Sequence, residues 1–467
     1  MRVLFASSEV YPFSKTGGLG DVAGALPEAL VREGHEVLVV SPWYKTLKGQ
    51  QPLWIGDVLV PFGGEDNGDM TIGVGELIKN GVRYAFVGHD DFQHDRIYTD
   101  DDARRFARFT RAIPQVAARV NFVPDVVHAN DWHTGYLPML LEYGWQLPPG
   151  FVRPGTVYTL HNVQYQGYAP LDAPLQWLNL PYWLRDSWLN YFGASNAMQA
   201  GIGFASHVTT VSPTYANEIK TSEFGYGLDG SFNSINWKLT GILNGLDKDV
   251  WNPQQDSYLG HPYSASDLSG KAQEKHSLCE RFGLDDARPL VGVVSRLVDQ
   301  KGIDLVLDGI YRIVEQGWNV MILGSGEAVL ESAIHTATSA RPGQIGSYVG
   351  YDEGFAHHIY AGADALLIPS RFEPCGLNQM IAMRYGTLPI ARATGGLRDT
   401  IEHWRTGFLF DHATPDGVLW ACSEAIKVYR DQPEHWQYMV QQAMAEDFSW
   451  QRSARAYGDI YEMVQRA

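Results

Sequence analysis

Short apolar runs alternate with amphipathic helical patterns from one end of this chain to the other. In the first half the runs fall at Val3–Ala6, Glu36–Val40, Val126–Ala129, Val157–Leu160 and Val208–Val211. In the second half they fall at Leu290–Val294, Val320–Leu323, Ser347–Val349, Ala365–Ile368, Leu388–Ile390 and Phe408–Phe410. Brief β-branched runs without polar alternation are strands buried on both faces, and helices between them make βαβ crossovers. The fold class is therefore α/β, with two doubly wound parallel sheets. At 467 residues the chain also exceeds what one core normally holds. A domain of residues 1–245 is expected, with a second from 246 to 447; the division falls after Gly241–Asp247, where the polar, Pro-bearing stretch Trp251–Gly270 begins. Segment 56–90 reads as an antiparallel insertion or edge hairpins. The Trp-, Tyr- and Pro-rich segment 165–200 reads as a cap-like loop with short helices.

Ligands of doubly wound sheets sit beyond the carboxyl ends of the strands, and two facing domains place the expected site in the cleft between them. The first such strand end carries Lys15-Thr16-Gly17-Gly18-Leu19-Gly20-Asp21-Val22. Glycines between a strand and a helix let backbone N–H groups approach an anion, and the helix dipole favours negative charge there. Lys15 adds a full positive charge. A tight turn with packing glycines is the bland alternative.

Composition narrows the ligand. A net charge of −17 argues against nucleic acid, whose phosphate backbone needs a basic face. A small anionic group must then be held by a local basic cluster. Cys279, Cys375 and Cys422 have no metal-ligand spacing and form no disulfide framework, which suits a reducing compartment. No secretory leader and no run of roughly 20 apolar residues is evident, so a cytoplasmic protein without a membrane partner is expected. Phosphate-loop, zinc-helix and nucleophile-elbow motifs are absent. Asp100-Asp101-Asp102 reads as an acidic helix start and His357-His358 as an exposed helix face. No metal and no cofactor are expected.

Other strand ends carry chemistry as well. Asn130-Asp131-Trp132-His133 follows one strand and His161-Asn162-Val163 the next. Asp131 could instead cap a helix near Thr134, and His133 could be a buried, hydrogen-bonded histidine. In the second half, Arg296 and Lys301 follow a strand and precede the helix from Ile303. Such a basic pair suits a departing diphosphate, although a solvated surface pair is the commoner fate of these residues. Ser370–Gln379 follows the strand Ala365–Ile368. There Pro374 biases Glu373 to extended backbone, Gly376 and Leu377 are expected to open a helix, and Cys375 reads as a small packed residue. Glu373 could accept sugar hydroxyls or stabilise positive charge at an anomeric carbon; capping is its alternative.

These segments, with Phe224–Leu228, Gly241–Asp247, Gly350-Tyr351, Thr394–Leu397 and Asp447–Trp450, resemble the bacterial glycogen synthase and plant starch synthase family in the same order along nearly the whole chain. The resemblance implies the GT-B architecture, two Rossmann-like domains, with residues 448–467 as a C-terminal helix crossing back to the first. It implies glucose transfer from ADP-glucose to the non-reducing end of an α-1,4-glucan with retention of configuration. Lys15, Gly18, Arg296 and Lys301 would hold the diphosphate. His161, Asn244, Asp131 and Glu373 would line the glucosyl pocket, the backbone N–H groups of Gly376 and Leu377 would meet phosphate or sugar oxygens, and Asn162 and Cys375 would also bind substrate. Tyr351 would stack on the base. Glu373, Arg296, Lys301 and His161 are the expected catalytic set. No second strand-end carboxylate pairs with Glu373, so stabilising the leaving group carries the barrier rather than a covalent intermediate. The alternatives are a retaining enzyme of this architecture using UDP-glucose and a glucan-binding protein without activity. Oligomeric state is not legible.

Overall fold

The computed structural model describes residues 1–64, 68–151 and 153–466. Two units emerge, Met1–Gly245 with the C-terminal segment from Trp450, and Leu246–Ser449.

The first unit is built on a nine-stranded sheet. Its strands, with a small separate sheet, are β1 (Arg2–Ala6), β2 (Glu36–Pro42), β3 (Leu53–Pro61), β4 (Asp69–Lys79), β5 (Val82–Gly88), β6 (Val126–Asn130), β7 (Gly155–Leu160), β8 (Tyr168–Pro170), β9 (Asn190–Tyr191), β10 (Ala194–Asn196), β11 (His207–Thr210) and β12 (Leu239–Gly241). The large sheet runs β12-β11-β7-β6-β1-β2-β5-β4-β3. It is parallel from β12 to β5, and β4 runs against it, paired antiparallel with both β5 and β3. Segment 56–90 is thus a hairpin whose last strand joins the parallel sheet, with Val39 opposite Tyr84. The chain leaves β1 toward β2 and β5, then returns to place β6 on the other side of β1. That reversal is the point at which doubly wound sheets bind ligands.

Residues 165–200 depart from the expected loop. They hold the antiparallel sheet β8-β10-β9 as well as short helices. Two- and three-residue strands carry too little periodicity to be read from sequence.

Helix Trp450–Arg466 completes this unit. Trp450, Ala454, Tyr457, Ile460, Tyr461 and Val464 share one buried cluster with Val3, Phe5, Val22 and Leu26. The Tyr461 hydroxyl lies 2.7 Å from Nδ1 of fully buried His128 on β6, and Ser453 Oγ donates to the Leu243 carbonyl at 2.6 Å.

The second unit holds β13 (Leu290–Val294), β14 (Asn319–Gly324), β15 (Ile345–Val349), β16 (Ala365–Ile368), β17 (Leu388–Arg392) and β18 (Phe408–Phe410). The order is β15-β14-β13-β16-β17-β18, all parallel. Here the reversal lies between β13 and β16, whose carboxyl ends carry Arg296–Lys301 and Ser370–Leu377. Among the described residues, no helix is long and apolar enough to cross a membrane.

Candidate functional site

Each unit presents its polar residues at its own reversal point. In the first unit, the loop after β1 leads into helix Gly18–Arg32, with Gly17 in extended backbone at the cap and no side chain capping it. A methyl group added at Gly17 or Gly18 would meet nothing within 4 Å, and neither has a left-handed φ. Neither packing nor backbone geometry therefore demands glycine at these two positions; both are exposed, which lets a ligand approach the backbone of the helix start closely. Gly20 differs, since its methyl would press on Lys15 and Glu9 at 3.1 and 3.2 Å. Lys15 ion-pairs with Asp21 at 2.7 Å and keeps 42% of its side chain exposed, so its ammonium is reachable.

The residue that shapes this loop went unrecognised in the sequence. Glu9 is buried, and its carboxylate accepts from Thr16 N and Thr16 Oγ1, both at 2.6 Å, from Gly17 N at 3.1 Å and from the Tyr98 hydroxyl. Because Glu9 already occupies the N–H groups of Thr16 and Gly17, an incoming anion meets Lys15 and the N–H groups from Gly18 onward. A lone acid between two serines and a tyrosine carries no motif; only its place just after β1 hinted at it.

The loops after β6 and β7 lock together. Asp131 precedes the short turn Trp132–Thr134, but its side chain makes no capping hydrogen bond. Its backbone is left-handed, with φ 55°, and its Oδ1 accepts the His161 N–H at 2.7 Å. Burial raises its carboxyl to about 7, against the lowering effect of backbone N–H groups of His161 and Asn162. Asn130 donates Nδ2 to the Ala6 carbonyl at 3.1 Å, so its Oδ1 is the acceptor facing His161 Nε2 at 2.9 Å. His161 therefore carries its proton on Nε2 and presents Nδ1 as an acceptor. Burial lowers its pKa to about 3, which keeps it neutral. His133 is buried against Tyr98, Phe106 and Trp132, and its Nδ1 has no partner among the described residues. Asn162 turns its Oδ1 back to the Gln164 N–H at 3.0 Å. Asn244 keeps a buried Oδ1 without a partner among the described residues, an acceptor left over for a donor from outside.

In the second unit the loops after β13 and β16 meet through one ion pair, with Lys301 Nζ 2.6 Å from Glu373 Oε2. Ser370 Oγ donates to the same oxygen at 2.9 Å. Among the described residues nothing donates to Oε1, which remains available. Arg296 is exposed at the same strand end, with no ion pair to any described residue. Lys301 thus faces the carboxylate, while Arg296 stands exposed at the carboxyl end of the neighbouring strand β13. Gly302 holds Lys301 in place: its φ is +65°, and a Cβ there would lie 2.2 Å from the Pro369 carbonyl. Gly395 and Gly396 press as closely on the Glu373–Cys375 backbone, at 1.8 and 2.0 Å for an added Cβ.

Gly376 and Leu377 do not open a helix as expected. Gly376 is left-handed, with φ +76°, Leu377 is the cap, and the helix begins at Asn378. The compact turn after Pro374 delays the start. Cys375 is buried, and Tyr351 is 84% exposed. His357 is not on an exposed face either. It is buried, stacked on Trp251 with centroids 4.2 Å apart, and bonded through Nδ1 to Asp256 at 2.6 Å. Trp251 and Asp256 lie far earlier in the chain, so helical periodicity gave no sign of them. Asp102 begins helix Asp102–Arg119, and among the described residues no cluster of His, Cys, Asp and Glu could hold a metal.

Residues 2–234 match the model of the starch synthase catalytic domain, and residues 275–443 match that of the glycosyl transferases group 1. The chain is 45% identical to a glycogen synthase of Deinococcus deserti, over 99% of each, and 41% identical to one of Streptococcus sanguinis, over 99% of this chain and 100% of that one. The chain belongs to the glycogen synthase and starch synthase family. The catalytic domain of starch synthase IV from Arabidopsis thaliana, solved bound to ADP and acarbose, is similar at a TM-score of 0.89 and 35% identity, over 100% of this chain and 99% of that one. A sucrose-phosphate synthase from Thermosynechococcus elongatus, at TM-score 0.62 and 16% identity, shares the GT-B fold. This family member is accordingly a glycosyltransferase with two Rossmann-like units.

Proposed function

We propose that the chain transfers glucose from ADP-glucose to the non-reducing end of an α-1,4-glucan with retention of configuration, as a step of glycogen biosynthesis. The observation that carries this reading is the Lys301–Glu373 pair at the reversal point of the second unit, where the end of β13 also carries exposed Arg296. The names of the relatives and the ADP bound to the Arabidopsis enzyme support the donor. Three buried cysteines outside any disulfide suit a reducing cytoplasm.

In this reading Arg296 and Lys301, with Lys15 and the Gly18 N–H, engage the diphosphate. As the bond between C1 and the phosphate oxygen breaks, its electron pair passes to that oxygen, and the two cations stabilise the growing charge. The acceptor hydroxyl attacks C1 from the same face and gives its proton to the departing phosphate oxygen. In this reading Glu373 keeps its Oε2 on Lys301 and Ser370 and its Oε1 accepts a sugar hydroxyl, with no covalent intermediate formed. Neutral His161 and the Asn244 oxygen orient the glucosyl group, Asp131 and Asn162 hold the His161 loop, and Cys375, Gly376 and Leu377 shape the wall beside Glu373. Tyr351 stacks on the adenine.

The test compares initial rates with ADP-glucose and UDP-glucose on a soluble glucan primer. The reading expects a clear preference for ADP-glucose. Equal rates, or transfer from neither, overturn it.

A further inference from the structure

The hairpin Asn190–Asn196 spends conformational strain on an exposed ring. Strands β9 and β10 pair Tyr191 with Ala194 and leave a two-residue turn, Phe192-Gly193, whose φ values are 49° and 90°. Turns with both central residues left-handed favour Asn, Asp or Gly at the first position, and a bulky residue there is an outlier. Phe192 occupies that position while 95% exposed, so burial gives nothing in return. Strain without a packing reward points to function.

The surroundings say what the ring meets. Phe192 stands edge-on to Tyr191 with centroids 4.9 Å apart, and Tyr191 tilts against half-exposed Tyr168 at 5.8 Å. The hydroxyls are anchored: Tyr191 donates to the Gly227 carbonyl at 3.3 Å and Tyr168 to Gln166 Oε1 at 2.8 Å. Gln166 also takes a hydrogen bond from Asn196 on β10 at 2.7 Å and donates to the Val163 carbonyl at 3.0 Å. The hairpin is thereby tied to the residue that follows His161 and Asn162. In a chain of net charge −17, residues 164–204 carry only Asp172, Arg185 and Asp186 as charges. Aromatic faces among amides and hydroxyls, nearly free of charge, match a neutral polyhydroxylated partner; a charged peptide or a phosphate has no counterion here.

We propose that Phe192, Tyr191 and Tyr168 form a stacking platform for the glucan chain, holding the polymer at a distance from the glucosyl group that reacts. The proposal rests on a glucan being the acceptor. A pyranose offers an apolar C–H face to such rings, and a rigid hairpin presents them at little entropic cost.

Electrophoresis of the intact protein through native gels containing glycogen reads the binding without turnover. Phe192→Asn suits the left-handed backbone and removes the ring; Phe192→Trp keeps a ring. Retardation of Phe192→Asn is expected to weaken by about fivefold, with Phe192→Trp retarded like the parent and the KM for ADP-glucose unchanged in both. The half-saturating glycogen concentration should rise in step. Equal retardation of Phe192→Asn and the parent overturns the proposal. So does a parent dimer that Phe192→Asn converts to monomer without a change in retardation, which would make the patch a contact with a second copy. A parent that binds glycogen through Phe192 but transfers no glucose would leave the platform standing and refute the catalytic reading.

Discussion

Replacing Lys301 by alanine separates what the ion pair does for the fold from what the cation does for the reaction. Removing one partner of a fully buried pair costs about 3–5 kcal/mol, because the other charge is left without compensation. Here Lys301 keeps 20% of its side chain accessible and Glu373 keeps 10%, and Ser370 still donates to the stranded carboxylate. Water reaches the gap, so the expected loss is about 1–2 kcal/mol. For a unit spanning Leu246–Ser449 that corresponds to a fall in Tm of about 2–8 °C. Turnover should fall much further, by about 10²–10³, the usual consequence of losing one preorganised group that meets developing negative charge. Adding Glu373→Gln to Lys301→Ala removes the stranded charge and should restore most of the stability without restoring turnover. Scanning calorimetry and initial rates on ADP-glucose with a glucan primer read the two effects separately. Turnover within about threefold of the parent would refute the leaving-group argument. Recovery of turnover by the double variant would show that only the fold had been damaged.

Gly18→Ala should leave stability unchanged or slightly raised, since its methyl meets nothing, yet raise the KM for ADP-glucose. Gly395→Ala, with an added Cβ 1.8 Å from the Glu373 carbonyl and φ +46°, should lower the urea midpoint of the second unit; the reverse pattern would contradict these roles. Glu9→Gln cannot accept all the loop's N–H and hydroxyl donors, so donor KM should rise about tenfold while the midpoint for glucan binding holds; an unchanged donor KM would remove Glu9 from the account. Burial holds His128 neutral and lowers its pKa to about 3. With the folded pKa below the unfolded value, its contribution is complete above about pH 6.5 and is lost as pH falls toward 3, at up to about 1.4 kcal/mol per pH unit. Urea midpoints between pH 7 and 5 should therefore decline less steeply in His128→Asn than in the parent, and equal slopes would refute this.

Much of this was legible because parallel strands buried on both faces announce themselves locally. Val3–Ala6, Leu290–Val294 and Ala365–Ile368 each carry the signal within their own residues, and the polar residues just past them then locate the reversal points. The pairings that organise the site were not legible. Glu9 binds a loop seven and eight residues on, and Tyr98 nearly ninety residues away, and nothing local marks it as an acceptor. Lys301 and Glu373 could each be singled out, but their ion pair follows from β13 lying beside β16. The delayed helix at Asn378 depends on Gly376 adopting a left-handed turn, which glycine permits and does not dictate. The β8-β10-β9 sheet was hidden by its brevity, and with it the exposed Phe192.

The product itself tests the central claim most directly. Proton NMR can follow a maltooligosaccharide primer and ADP-glucose in the presence of the intact protein. The account predicts growth of the α-1,4 anomeric signal, with one ADP released for each glucose added at the non-reducing end. A β-configured product, release of free glucose in place of chain growth, or no reaction would contradict it.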